Sequence, residues 1–112
     1  MRCMIKAIIP HHTGNQMITE GTLESRIQGL LGDIMPEAAY FTAEEGCRTF
    51  YLFADLDDAS RIPAVAEPLF LALEAKVSIV PCMVAEDLMK AGPAIKAAVE
   101  KYAPSRQFAG AR

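Results

Sequence analysis

The 112-residue chain contains no tryptophan and only three cysteines, Cys3, Cys47 and Cys82. An odd number of widely spaced cysteines without a C-x-x-C excludes a disulfide framework and gives no zinc-ligand spacing, so no metal site is expected. Basic runs are also missing, and the formal net charge is −3. A nucleic-acid binder needs a cationic stripe to meet phosphates, so no nucleic-acid partner is expected. Uninterrupted hydrophobic runs of spanning length are absent too. The longest apolar region, residues 62–85, is broken by Glu67, Glu74, Lys76 and Pro81, which argues against a membrane partner. The apolar N-terminus carries Arg2 and Lys6 and reaches Pro10 and His11 without a small-residue cleavage site. It reads as a strand rather than a signal peptide, and the expected location is a reducing cytoplasm. Gly14, Gly21, Gly29 and Gly32 fit neither G-x-G-x-x-G nor a P-loop, and no cofactor is expected.

Against these absences stands a composition that is 52% hydrophobic and 22% charged, which is that of a globular chain. Six methionines and the lack of tryptophan point to an adaptable aliphatic core. The length suits one domain, expected over residues 1–102, with residues 103–112 as a flexible tail.

Residues 1–9 are apolar and bounded by Pro10, as in a buried first strand. Residues 11–16 read as a loop, in which Thr13 and Gln16 have capping-box spacing. Leu23, Ile27, Leu30, Leu31 and Ile34 then recur at helical spacing, predicting one helix that starts somewhere between Asn15 and Thr22. Residues 38–43 read as a second strand, Glu44-Glu45-Gly46 as a hairpin turn, and residues 48–56 as a third strand. Asp57, Asp58 and Ser60 are candidate caps for a second helix, with Pro63 in its first turn. Its predicted buried face is Ile62, Val65, Ala66, Leu69, Phe70 and Leu73. Residues 77–84 are a fourth strand, where Pro81 requires an edge position or a bulge. A last helix over residues 86–102 is divided by Gly92-Pro93.

The order is that of a ferredoxin-like βαββαβ fold of the α+β class, a four-stranded antiparallel sheet plus a C-terminal helix. Two crossovers place the main helices on one side of the sheet, so the opposite side should be polar. It is not. One set of alternate positions is Cys3, Ile5, Ala7 and Ile9 with Phe50, Leu52, Ala54 and Leu56; the other includes Met4, Ile8, Tyr51, Phe53 and Val80. A sheet apolar on both faces needs a second layer about 10 Å away. A homodimer or higher homo-oligomer would supply it.

The third-strand segment F-Y-L-F-A-D-L-D-D and the segment A-K-V-S-I-V-P-C-M-V-A-E-D-L resemble the dimeric α+β barrel superfamily, and within it a small bacterial family of unknown function. The resemblance implies the fold and its dimer. It carries no catalytic residue, because the superfamily hosts cofactor-free monooxygenases, isomerases and haem-dependent enzymes alike.

Candidate ligand-binding residues follow from parity. Lys6 falls on the open face of a central strand, where Tyr40, Tyr51 and Asp55 share its side. An amine, two phenols and a carboxylate among apolar walls suit a small-molecule ligand, with Lys6 orienting an anionic or carbonyl group. The competing reading is a structural Lys6–Asp55 ion pair that sets dimer register. His11, in the His11-His12 pair after the first strand, is a further candidate, set against a solvated loop histidine. Cys82 has no histidine near it in sequence and reads as a buried, inert thiol. Two functions therefore remain in view. One is a small-molecule-binding or cofactor-free enzyme-like protein with its cleft between sheet faces. The other is a non-catalytic homo-oligomeric assembly module with no ligand site.

Overall fold

A computed structural model describes residues 1–104 of the chain. The contacts divide it into a unit from Met1 to Cys82 and a second from Met83 onward.

In the first unit, β1 (Arg2–Ile9) alternates strictly between half-buried and buried positions. It is followed by α1 (His11–Glu20) and α2 (Leu23–Ile34), the hairpin β2 (Ala38–Glu44) and β3 (Cys47–Asp55), α3 (Ile62–Leu73) and β4 (Lys76–Pro81). The strands form one antiparallel sheet in the order β2-β3-β1-β4. This is an α+β architecture compatible with a ferredoxin-like arrangement. Its core is continuous: Ile5, Phe50, Leu52, Leu69 and Leu73 are the largest fully buried side chains, joining the central strands to α3.

The first crossover differs from expectation. Two helices stand where one was predicted, and the segment read as a loop is helical from His11. The break comes at Gly21, whose φ of 74° closes α1 with a left-handed cap that suits glycine. Thr13 makes no cap; its hydroxyl donates to the Glu74 carboxylate at 2.6 Å. Pro10 ends β1 and leads directly into α1, since proline is tolerated where the first helical amides lack partners.

The β2–β3 turn is one residue shorter than predicted. Glu44 is the last residue of β2 and pairs with Cys47, leaving a two-residue turn of Glu45 and Gly46 at φ of 51° and 76°. Paired positive φ values match the twist of a hairpin, and glycine meets that need without strain.

Asp58 caps a short 3-10 turn by accepting from the Ser60 amide at 2.8 Å, and Pro63 sits in the first turn of α3 as expected. Val65, Ala66, Leu69 and Leu73 of α3 are buried, whereas Ile62 and Phe70 flank that face and stay exposed. β4 occupies an edge, as Pro81 requires, and ends there instead of at residue 84.

The second unit contains α4 (Ala85–Lys90) and α5 (Gly92–Tyr102), divided at Gly92-Pro93. The Asp87 carboxylate accepts from the Val84 amide at the start of α4. Ile95, Val99 and Tyr102 give α5 an exposed apolar stripe. Of the expected tail over residues 103–112, all beyond residue 104 lies outside the described residues. No helix among the described residues is long and apolar enough to cross a membrane.

Candidate functional site

Sheet register decides which polar side chains can meet. Lys6 pairs with Tyr51 on one side and Ser78 on the other, and Tyr51 pairs with Tyr40. One row, Tyr40–Tyr51–Lys6–Ser78, therefore crosses all four strands on the face away from the buried core positions. All four residues of the row are half-buried or exposed, in contrast to Ile5, Ala7, Phe50 and Leu52 on the other face. Around the row stand Met4, Ile8 and Phe53, all half-buried, and the exposed Val80. Tyr40 is 64% exposed and meets Phe53 edge to face, with ring centroids 6.4 Å apart.

The charges converge toward the hairpin end of the face. The Lys6 ammonium donates to the Glu44 carboxylate, and the Tyr51 hydroxyl donates to the other oxygen of the same group. Lys6 also lies 5.8 Å from the centre of the Tyr51 ring. The hydrogen bond to Glu44 raises the Lys6 ammonium above its ordinary value, which outweighs the opposing effect of partial burial. Glu44 is lowered, first by the bond from Lys6 and then by that from Tyr51. Tyr51 is raised, chiefly because its hydroxyl donates to Glu44. At neutral pH the cluster is thus a fixed ammonium, an ionised carboxylate and a protonated phenol.

Glu44 belongs to this cluster, although the sequence reading placed it in the turn. Counting back across a two-residue Glu45-Gly46 turn would have put it opposite Cys47 and on the same side as Tyr40. Asp55 does not join the cluster. It pairs with Arg2, four residues and thus about 13 Å along β1 from Lys6. Its carboxylate accepts from the Met1 amine at 2.7 Å, and that bond lowers its pKa. The expected Lys6–Asp55 ion pair is therefore replaced by Lys6–Glu44. Arg2 reaches Glu37 instead.

His11 opens α1 at the same end of the sheet as the cluster, because Ile9 of β1 pairs with Arg48 of β3. Its Nε2 lies 3.9 Å from Sγ of Cys47, the residue that pairs with Glu44. The sequence reading gave Cys47 no role. Cys82 is only half-buried, and its thiol lies 3.7 Å from the Arg2 carbonyl oxygen. Cys3 is the buried thiol.

Two cavities of this unit border its helices. A polar groove of about 310 Å³ includes Thr13, Arg26 and Glu74, and an apolar one of about 440 Å³ includes Ile18, Ile27 and Phe41. Neither includes a residue of the Lys6 row. No protein-family model matches the chain, and neither a curated protein nor a solved structure does.

Proposed function

We propose that the chain binds a small anionic or carbonyl-bearing molecule between the open faces of two copies, as a ferredoxin-like subunit of a dimeric α+β barrel. The observation that carries this reading is the Lys6–Glu44–Tyr51 cluster, set among Met4, Ile8, Phe53 and Val80 on a face that also carries Thr42, Thr49 and Ser78. Charged groups on such a face lose hydration when it is covered, so they are retained where they hold something in place.

The protonation states define the part each residue plays. A lysine held above its ordinary pKa is a poor nucleophile and a good electrostatic anchor. The Lys6 ammonium would attract the ligand's negative oxygen. Tyr51, kept protonated, would donate once the ligand displaces Glu44 from its hydroxyl. The exposed Tyr40 would supply an aromatic wall from the same row. This is a binding chemistry, with His11 at its edge.

A second reading is favoured by one observation: Lys6, Glu44 and Tyr51 already satisfy one another. The face would then be a subunit interface in an assembly module, and the cluster would set its register.

Sedimentation combined with calorimetric titration of short aliphatic and aromatic carboxylates separates the two. The binding reading expects a dimer that takes up a carboxylate and loses that affinity in Lys6→Ala and Tyr51→Phe. A dimer that binds none of the carboxylates, and that Lys6→Ala merely weakens, supports the assembly module. Single chains at high protein concentration would remove the cleft altogether.

A further inference from the structure

The chain's three thiols occupy three different environments. Cys3 is 2% exposed, with Sγ 3.8 Å from the Met1 carbonyl oxygen. The Cys82 thiol faces the Arg2 carbonyl oxygen at 3.7 Å. Cys47 instead faces an imidazole, with Nε2 of His11 3.9 Å from its sulfur.

We propose that Cys47 and His11 form a thiol–imidazole pair that reacts with small disulfides, making Cys47 a site of reversible mixed-disulfide formation. The two residues come from separate elements. Cys47 opens β3 directly after the two-residue turn, and His11 opens α1 directly after Pro10. Pairing of Ile9 with Arg48 brings these two starts to one end of the sheet. His11 is exposed and Cys47 half-buried, so a reagent can approach the pair from solvent.

The neighbouring charges permit the chemistry. Glu44 pairs with Cys47 across the turn, and an unpartnered carboxylate there would oppose a thiolate. Its charge is met by Lys6 and Tyr51. The Arg48 guanidinium is taken up by Asn15 at 3.0 Å.

The reaction needs no further component. The Cys47 proton passes to Nε2 of His11, and the thiolate attacks one sulfur of the disulfide. A new S–S bond forms as the original one breaks, and the departing thiolate takes the proton back from the imidazolium. The incoming disulfide is reduced by one thiol's worth, and Cys47 is oxidised by the same amount. No second cysteine of the chain is in reach to resolve the product. Cys3 is six residues, about 20 Å, along β1 from Ile9, and the Cys82 amide donates to the Arg2 carbonyl at that far end. The mixed disulfide therefore persists until an external thiol removes it. Cys47 lies at the hairpin end of the open face, on the same side as Tyr51, and the reaction requires no ligand there.

The test treats the full chain with oxidised glutathione at neutral pH under native conditions, followed by acid quenching and peptide mass mapping of all three thiols. Cys47 is expected to react about tenfold faster than Cys82, and His11→Ala to bring Cys47 down to about the Cys82 rate. A small reducing thiol should restore the original mass. Equal rates at Cys47 and Cys82 in the unaltered chain would overturn the proposal, as would a His11→Ala variant whose Cys47 rate is unchanged. Should that variant loosen the fold, the Cys82 rate would rise with it, and the ratio in the unaltered chain decides. The carboxylate titration reports on Lys6 and Tyr51 alone, so either idea can fail without the other.

Discussion

The carboxylate of Glu44 accepts a hydrogen bond from the Lys6 ammonium across strand β3, although 38 residues separate them in the chain. The pair links an edge strand to a central one and fixes the protonation of both groups in opposite directions.

Its contribution has a definite pH window. Glu44 is lowered from an ordinary value of 4.5, so its contribution is present above that pH and is lost as pH falls through the folded value. Lys6 is raised from 10.5, so its contribution is complete below that pH and is lost as pH climbs through the folded value. Urea midpoints measured across the acid range should fall less steeply in Glu44→Gln than in the unaltered chain. Parallel curves would show that the pair adds nothing to stability.

Truncation of the core should cost far more than any change at an exposed site. Leu52 is fully buried on the helix side of β3. Leu52→Ala is expected to lower stability by about 2–5 kcal/mol, the range for a buried leucine that leaves a cavity. Chemical denaturation gives the value directly.

The open face offers a different outcome. Phe53 lies two residues from Tyr51 on that face and is only half-buried. Phe53→Asp should abolish self-association in sedimentation while leaving the far-ultraviolet circular dichroism intact. Dimers that survive this charge would place the interface on another surface.

The hairpin turn invites stabilisation. Glu45 holds φ at 51°, a region that asparagine enters more readily than glutamate. Glu45→Asn should raise stability by about 1 kcal/mol and move the thermal midpoint upward. A lower midpoint would mean that the Glu45 side chain contributes more than its backbone strain costs.

Much of this arrangement was legible in the residues. Alternation along β1 and β3 assigned both faces, and it put Lys6, Tyr40 and Tyr51 on one side, where register then aligned them in a row. Parity could not say how far apart residues on a face would be. Asp55 shares the side of Lys6 but lies toward the opposite end, bound to the Met1 amine. Glu44 was hidden by turn length, since a three-residue reading of Glu44-Glu45-Gly46 removed it from the strand. The His11–Cys47 approach was invisible for a related reason. It depends on α1 beginning immediately after Pro10, in a segment whose Thr13, Gly14 and Asn15 read as loop chemistry.

Pro81 has an effect beyond closing β4. A strand that stops at a residue without an amide hydrogen, and starts at Lys76, gives its side of the sheet a finished border. β2, on the opposite border, contains neither lysine nor proline. Lengthening by strand addition is thereby steered to a single margin. Two molecules joined along it would leave only β4 at the ends of the combined sheet.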